Sequence, residues 1–130
     1  MTILRDYFYA DAGGSWPGDW DDKPKEVVLT TEEYIGHLWT DMTCGCAIMT
    51  ETTAKIFYDT LEALAEEGWT SDSWSRWSDT AHEDMWYAIA GYLDREGLIE
   101  HGSGIRHSWL DYSMADEFKA AWSQMKKNEA

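Results

Sequence analysis

The chain has 130 residues, and 25 Asp and Glu against 10 Lys and Arg leave a formal charge of −15 at pH 7. That length fits one domain, and a composition of 44% hydrophobic and 15% aromatic residues is enough to bury a core, which excludes a disordered acidic tail. The charge excludes unaided attachment to phosphate backbones or anionic lipid, because both depend on local Lys and Arg.

No apolar run reaches the length of a membrane span, and the start MTILRDYFYADAGG lacks the basic region and long apolar stretch of a signal peptide. A cytoplasmic protein without membrane contact is the expectation. Cys44 and Cys46 are separated by a single glycine, too short a loop for an ordinary structural disulfide, so both are expected as free thiols.

Residues 1–30 carry −3 and form an irregular acidic and aromatic segment, in which Gly13, Gly14, Pro17, Gly18 and Pro24 favour turns around Trp16 and Trp20. Val27, Val28 and Leu29 allow one short strand. Residues 31–130 form the folded domain, and residues 31–97 alone hold −11 of the charge. Thr30 with Glu33 makes a capping-box pattern, after which Tyr34, Ile35, Leu38, Trp39 and Met42 share one helical face. A second helix places Ala54, Phe57, Leu61, Leu64 and Ala65 together and stops at Gly68. The Ser-, Asp- and Trp-rich stretch from Trp69 to Asp79 is a link. Thr80 with Glu83 repeats the capping signal before a third helix, with Met85, Trp86, Ile89, Ala90 and Leu93 inward, that closes at Gly97. Residues 98–101 and 105–110 alternate around Gly102-Ser103-Gly104 and predict a hairpin. Ser113 with Asp116 then caps a fourth helix burying Phe118, Ala121, Trp122 and Met125, with Lys126 and Lys127 at its negative end. The fold class is therefore mainly α with a small β-hairpin, four helices and a two-stranded wing.

That order, and the run GYLDREGLIEHGSGIRHSWLDYS at residues 91–113, resembles a winged helix-turn-helix domain over residues 31–112, with Tyr92, Leu93, Gly97, Leu98, Ile99, Arg106 and Trp109 at matching places. The resemblance implies the fold and would make the third helix a recognition helix. Its start, however, reads Asp79, Thr80, Ala81, His82, Glu83, Asp84, three carboxylates where phosphate contacts call for cations. Direct nucleic-acid binding by the monomer is not expected.

Catalytic motifs are missing from the sequence: G-x-S-x-G, P-loop, G-x-G-x-x-G and H-E-x-x-H do not occur. No catalytic residue and no cofactor is assigned. Cys44, Cys46, His37, His82, His101 and His107 are candidate ligands by type, but C-x-C lacks the paired spacing of structural zinc, so no metal is assigned. Asp11, Asp19, Asp21 and Asp22 lack calcium-loop spacing and read as a solvated turn.

Acidic and aromatic residues together carry the functional expectation. Asp59, Glu62 and Glu66 fall at i, i+3 and i+7, away from Phe57, Leu61 and Leu64, and form an acidic stripe on the second helix. Nine tryptophans exceed what a core of this size needs. Trp39, Trp86 and Trp122 have core spacing, Trp109 closes the hairpin, and Trp74 and Trp77 beside Arg76 are the preferred interface anchors. The expected partner surface is thus Asp59, Glu62, Glu66, Glu67, Trp74, Trp77, Asp79, Glu83 and Asp84. By size, acidity and lack of catalytic motifs the chain is similar to the small phage-encoded anti-defence proteins, including anti-CRISPR inhibitors and DNA mimics. That similarity implies a non-enzymatic inhibitor that docks on a basic nucleic-acid-handling protein. A winged-helix transcription regulator acting as a homodimer, an adaptor and a small metalloprotein are the alternatives.

Overall fold

The computed structural model describes residues 27–129 and contains five helices and one small antiparallel sheet. Helices α1 (Thr31–Thr43) and α2 (Glu51–Glu67) are followed by a short α3 (Ser71–Trp77) and by α4 (Glu83–Arg95). Strands β1 (Ile99–His101) and β2 (Ser108–Leu110) come next, and α5 (Ala115–Asn128) closes the order. A mainly helical α+β architecture is what the sequence predicts; the additional helix and several boundaries differ from the expectation.

Helix α1 starts where its capping box places it: Thr30 Oγ1 accepts from the Glu33 amide at 3.2 Å, while Glu33 returns a carboxylate oxygen to the Thr30 amide at 2.9 Å. Helix α2 ends at Gly68, whose φ of +86° is left-handed and whose amide donates to Ala63 and Leu64. Segment 69–79, expected as a link, holds α3. Its Ser-rich composition suits turns, but tertiary contacts override that preference. Buried Ser73 donates to Thr70 O at 2.9 Å and accepts the indole N–H of Trp86 at 3.1 Å, tying α3 to α4.

Helix α4 begins later than the Thr80 and Glu83 pattern predicts. Thr80 Oγ1 donates to Trp77 O at 2.7 Å and accepts from the His82 amide at 3.1 Å, so it closes the turn after α3 instead of capping α4. Ser113 likewise bonds to the Asp111 carboxylate, and α5 starts at Ala115 without a side-chain cap. The second half of the predicted hairpin divides, with residues 105–107 forming a 3-10 turn and only Ser108–Leu110 forming strand. Val27–Leu29 belong to no strand; Asn128 holds their carbonyls, at 3.0 Å for Val27 and 2.8 Å for Leu29. Leu29 is buried, so the end of the expected N-terminal segment packs on the core. The remaining calls on residues 1–26, including Trp16, Trp20 and the aspartates there, lie outside the described residues.

The sheet is joined to the helices by an isolated bridge. Trp69 bridges Trp109 in antiparallel fashion, flanked by bonds from the Leu110 amide to Gly68 O at 3.0 Å and from the Thr70 amide to Ser108 O at 2.9 Å. Buried Thr70 adds its hydroxyl, which accepts from the Ser108 amide at 3.0 Å and donates to Arg106 O at 3.1 Å. Segment 68–70 therefore pairs with β2, and β2 with β1 in the register Ile99 to Leu110. Ile99 and Leu110 point inward onto a core of Tyr34, Leu38, Ile56, Phe57, Leu61, Leu64, Trp86, Ile89, Leu93, Phe118 and Trp122.

Ser73 makes this packing testable. In Ser73→Ala the Trp86 indole N–H is buried without an acceptor, and a loss of about 1–3 kcal/mol is expected in urea unfolding. Ser75→Ala, at an exposed position of the same helix, is expected to stay within about 0.5 kcal/mol of the parent chain.

Candidate binding surface

The acidic stripe of α2 keeps its helical register but not its freedom. Asp59 faces α3: its Oδ2 accepts the Trp77 indole N–H at 3.1 Å and lies 3.3 Å from the Arg76 guanidinium. Glu62 faces α5: its Oε1 accepts the Trp122 indole N–H at 2.7 Å, and its Oε2 accepts from Lys126 at 2.9 Å. Glu66 lies 3.8 Å from the same ammonium. Two of the three stripe carboxylates, Asp59 and Glu62, therefore tie α2 to its neighbouring helices, a role that their spacing did not reveal. Glu67 remains exposed and makes no ion pair among the described residues.

Burial pushes the Glu62 carboxyl up, but the hydrogen bonds from Trp122 and Lys126, the Lys126 charge and the contact with Glu66 together hold its pKa below the ordinary value. Lys126 is held above its ordinary value, chiefly by the hydrogen bond to Glu62.

Trp74 and Trp77 are brought to the α3 surface, but both are half-buried and engaged. The Trp74 indole donates to Tyr87 Oη at 3.2 Å, and the Arg106 guanidinium sits 5.4 Å over its ring. The Trp77 ring meets His82 edge-on at 6.1 Å. Of the seven described tryptophans, Trp39, Trp74, Trp77, Trp86 and Trp122 have their indole N–H bonded within the chain. The other two, Trp69 and Trp109, make no such bond among the described residues and are 51% and 44% exposed. They are bridge partners, so their side chains stand together on the outer face of the sheet. Periodicity could not single them out; the pairing of residue 69 with β2 does.

Asp79, Glu83 and Asp84 surround the start of α4, where Asp79 has a left-handed φ of +61°. None of the three forms an ion pair among the described residues, and Glu83 and Asp84 sit at the positive end of the helix dipole, which stabilises them there. Along α4 the outward positions are Asp84, Tyr87, Ala88 and Arg95, a single cation in four. Glu66 and Glu67 close α2, four residues before α3 begins.

Other chemistry is sparse among the described residues. Cys44 and Cys46 are free and exposed, His101 pairs with Asp94 at 3.5 Å, and no group of three or more His, Cys, Asp or Glu is placed to hold a metal. Ser71 Oγ lies 3.0 Å from His107 Nδ1, a pairing that spacing did not reveal. His107 meets no carboxylate among the described residues, so a base-orienting third member is not in place. A groove of about 920 Å³ between the starts of α1 and α2 and the end of α5 is lined by Glu32, Ile35, Met49, Lys55 and Tyr58 among others. No helix of the described residues is long and apolar enough to cross a membrane.

The sequence matches no protein-family model, and comparisons with curated proteins and with solved structures find no similar protein.

Because the Glu62 pKa is depressed on folding, its stabilising contribution is present above the ordinary carboxylate value of about 4.3 and is lost as pH falls through the lower folded value. Glu62→Gln is expected to lower the urea midpoint at pH 7, with the gap to the parent chain closing as the pH drops below about 4. Far-UV circular dichroism along a pH series of urea titrations checks it.

Proposed function

We propose that the chain is a non-enzymatic acidic binding module of winged-helix-like build, which docks on the basic nucleic-acid-binding surface of a partner protein and keeps nucleic acid away from it. The observation that carries this reading is the start of α4. There a nucleic-acid reader presents cations to phosphates, and this chain presents Asp79, Glu83 and Asp84 without ion-pair partners among the described residues. Placed on a helix terminus, these carboxylates need no reorganisation to meet Lys and Arg, and the field of a −15 chain steers a cationic surface toward them while repelling a phosphate backbone. Glu66 and Glu67 extend the same sign along α2. In its specific form the module is a phage-encoded anti-defence inhibitor of the anti-CRISPR kind, acting in the host cytoplasm; small size and acidity support that form.

A second reading has one observation in its favour. Helix α2, the short paired segment 68–70, α3, a five-residue turn, α4 and the β1–β2 hairpin follow one another in the order of a winged helix-turn-helix, which suits a transcription regulator whose basic groove arises on dimerisation. Gel shift separates the two. The parent chain is expected to leave random duplex DNA unshifted at about 50 mM salt, where phosphate attraction is strongest. A saturable shift would replace the inhibitor reading with the regulator.

For the inhibitor reading itself, the parent chain is expected to capture a nucleic-acid-binding protein from bacterial lysate and to compete with duplex for it. Asp79→Lys, Glu83→Lys and Asp84→Lys combined are expected to weaken that capture roughly tenfold or more at physiological salt. Asp59 and Glu62 are unsuitable targets, since reversing either one breaks α2 from α3 or α5.

A further inference from the structure

We infer that the outer face of the small sheet, formed by Trp69, Trp109 and Glu100, is a docking site for an arginine-bearing segment of a protein partner. The inference rests on the protein-binding reading above and names its apolar anchor.

Three observations converge on this face. First, Trp69 and Trp109 are the two described tryptophans whose indole N–H finds no acceptor among the described residues, and they are about half exposed. An unpaired donor on a large apolar ring is suited to a partner's carbonyl and to hot-spot burial. Second, the two belong to a pair without hydrogen bonds between them, because the flanking bonds run from Leu110 to Gly68 and from Thr70 to Ser108. Backbones approach most closely at such pairs, so the two exposed indoles belong to one patch of surface. Third, Glu100 lies directly across from Trp109 in the β1–β2 register and is exposed, while exposed Glu67 precedes Trp69 by two residues. The wing turn borders this face, since a Cβ on Gly102 would stand in ordinary contact, 3.8 Å, with the edge of the Trp109 ring.

The chain's own arginines indicate which occupant fits. Arg106 lies over the ring of Trp74, and Arg76 shares the Asp59 carboxylate with the Trp77 indole. A guanidinium thus meets an indole face at Trp74 and an indole-bound carboxylate at Asp59, while the ammonium of Lys126 meets the indole-bound carboxylate of Glu62 without lying over a ring among the described residues. At Trp69, Trp109 and Glu100 both kinds of group, exposed indole and exposed carboxylate, stand at paired positions without a cation among the described residues. A planar guanidinium stacks on an indole and forks to a carboxylate, which an ammonium does less well. A second copy of this chain brings −15 against −15 and is the poorer occupant.

The probe is a short capped arginine–glycine peptide, with a lysine–glycine peptide of equal charge as its counterpart, titrated into the ¹⁵N-labelled full chain at about 150 mM salt. The arginine peptide is expected to shift the indole N–H resonances of Trp69 and Trp109 saturably, leave those of buried Trp86 and Trp122 in place, and bind several-fold more tightly than the lysine peptide. Trp69→Ala with Trp109→Ala is expected to weaken it roughly tenfold, the scale of two exposed cation–π contacts. Glu100→Lys, which retains both rings, is expected to weaken it as well and serves should the double variant fold poorly. Unchanged affinity in both variants overturns the inference, as does equal binding of the two peptides, or sedimentation showing a dimer that the double variant disperses. The charge reversal at α4 is a separate measurement: its failure with the tryptophan result intact removes the basic-groove reading, and the converse removes only this face.

Discussion

The pairing of residues 68–70 with β2 is the constraint on which the surface of this protein depends. Three residues between two helices are too few to form an element of their own, yet two backbone bonds and the buried Thr70 hydroxyl clamp them to Ser108 and Leu110. That clamp fixes the hairpin against the junction of α2 and α3. It also accompanies a division of the side chains: Thr70 is buried, whereas Trp69 and its bridge partner Trp109 are exposed.

A second theme is the use of indole donors to hold carboxylates. Trp77 with Asp59 and Trp122 with Glu62 each join α2 to a neighbouring helix, and in each case a nearby cation completes the set. A carboxylate at a half-covered helix flank loses hydration, and a charge-assisted bond from an aromatic N–H restores the lost partner while the ring fills space. This arrangement explains how an acidic helix can lie between two others. It also reduces the acidity available to a partner, which shifts the weight of the acidic surface toward α4 and the end of α2.

Much of this was legible in the residues. The α1 capping box and the left-handed Gly68 mark their helix ends because both devices are local, made by residues within a few positions of one another. The same pattern misleads at Thr80 and Ser113, where a closer local partner, the carbonyl of Trp77 or the carboxylate of Asp111, takes the hydroxyl first. Helix α3 escapes sequence reading because its stability comes from Ser73 and Trp86, contacts thirteen residues apart that no propensity encodes. For the candidate surface the limit is similar. Periodicity gives the angle of Asp59 and Glu62 on their helix correctly, but what covers that angle is set by α3 and α5. Trp74 and Trp77 likewise read as surface anchors until Arg106, Tyr87 and Asp59 are seen to occupy them.

The far end of α5 has a consequence for the order in which the fold is made. Glu129 accepts from the Thr31 amide at 2.7 Å and from the Thr31 hydroxyl, reaching across 98 positions to the first turn of α1. On a ribosome, α2 to α4 and the sheet can assemble as they emerge. The opening helix has its own capping box, but Thr31 gains the Glu129 carboxylate only once residue 129 has cleared the exit tunnel, so the joining of α1 to the end of α5 comes last during synthesis.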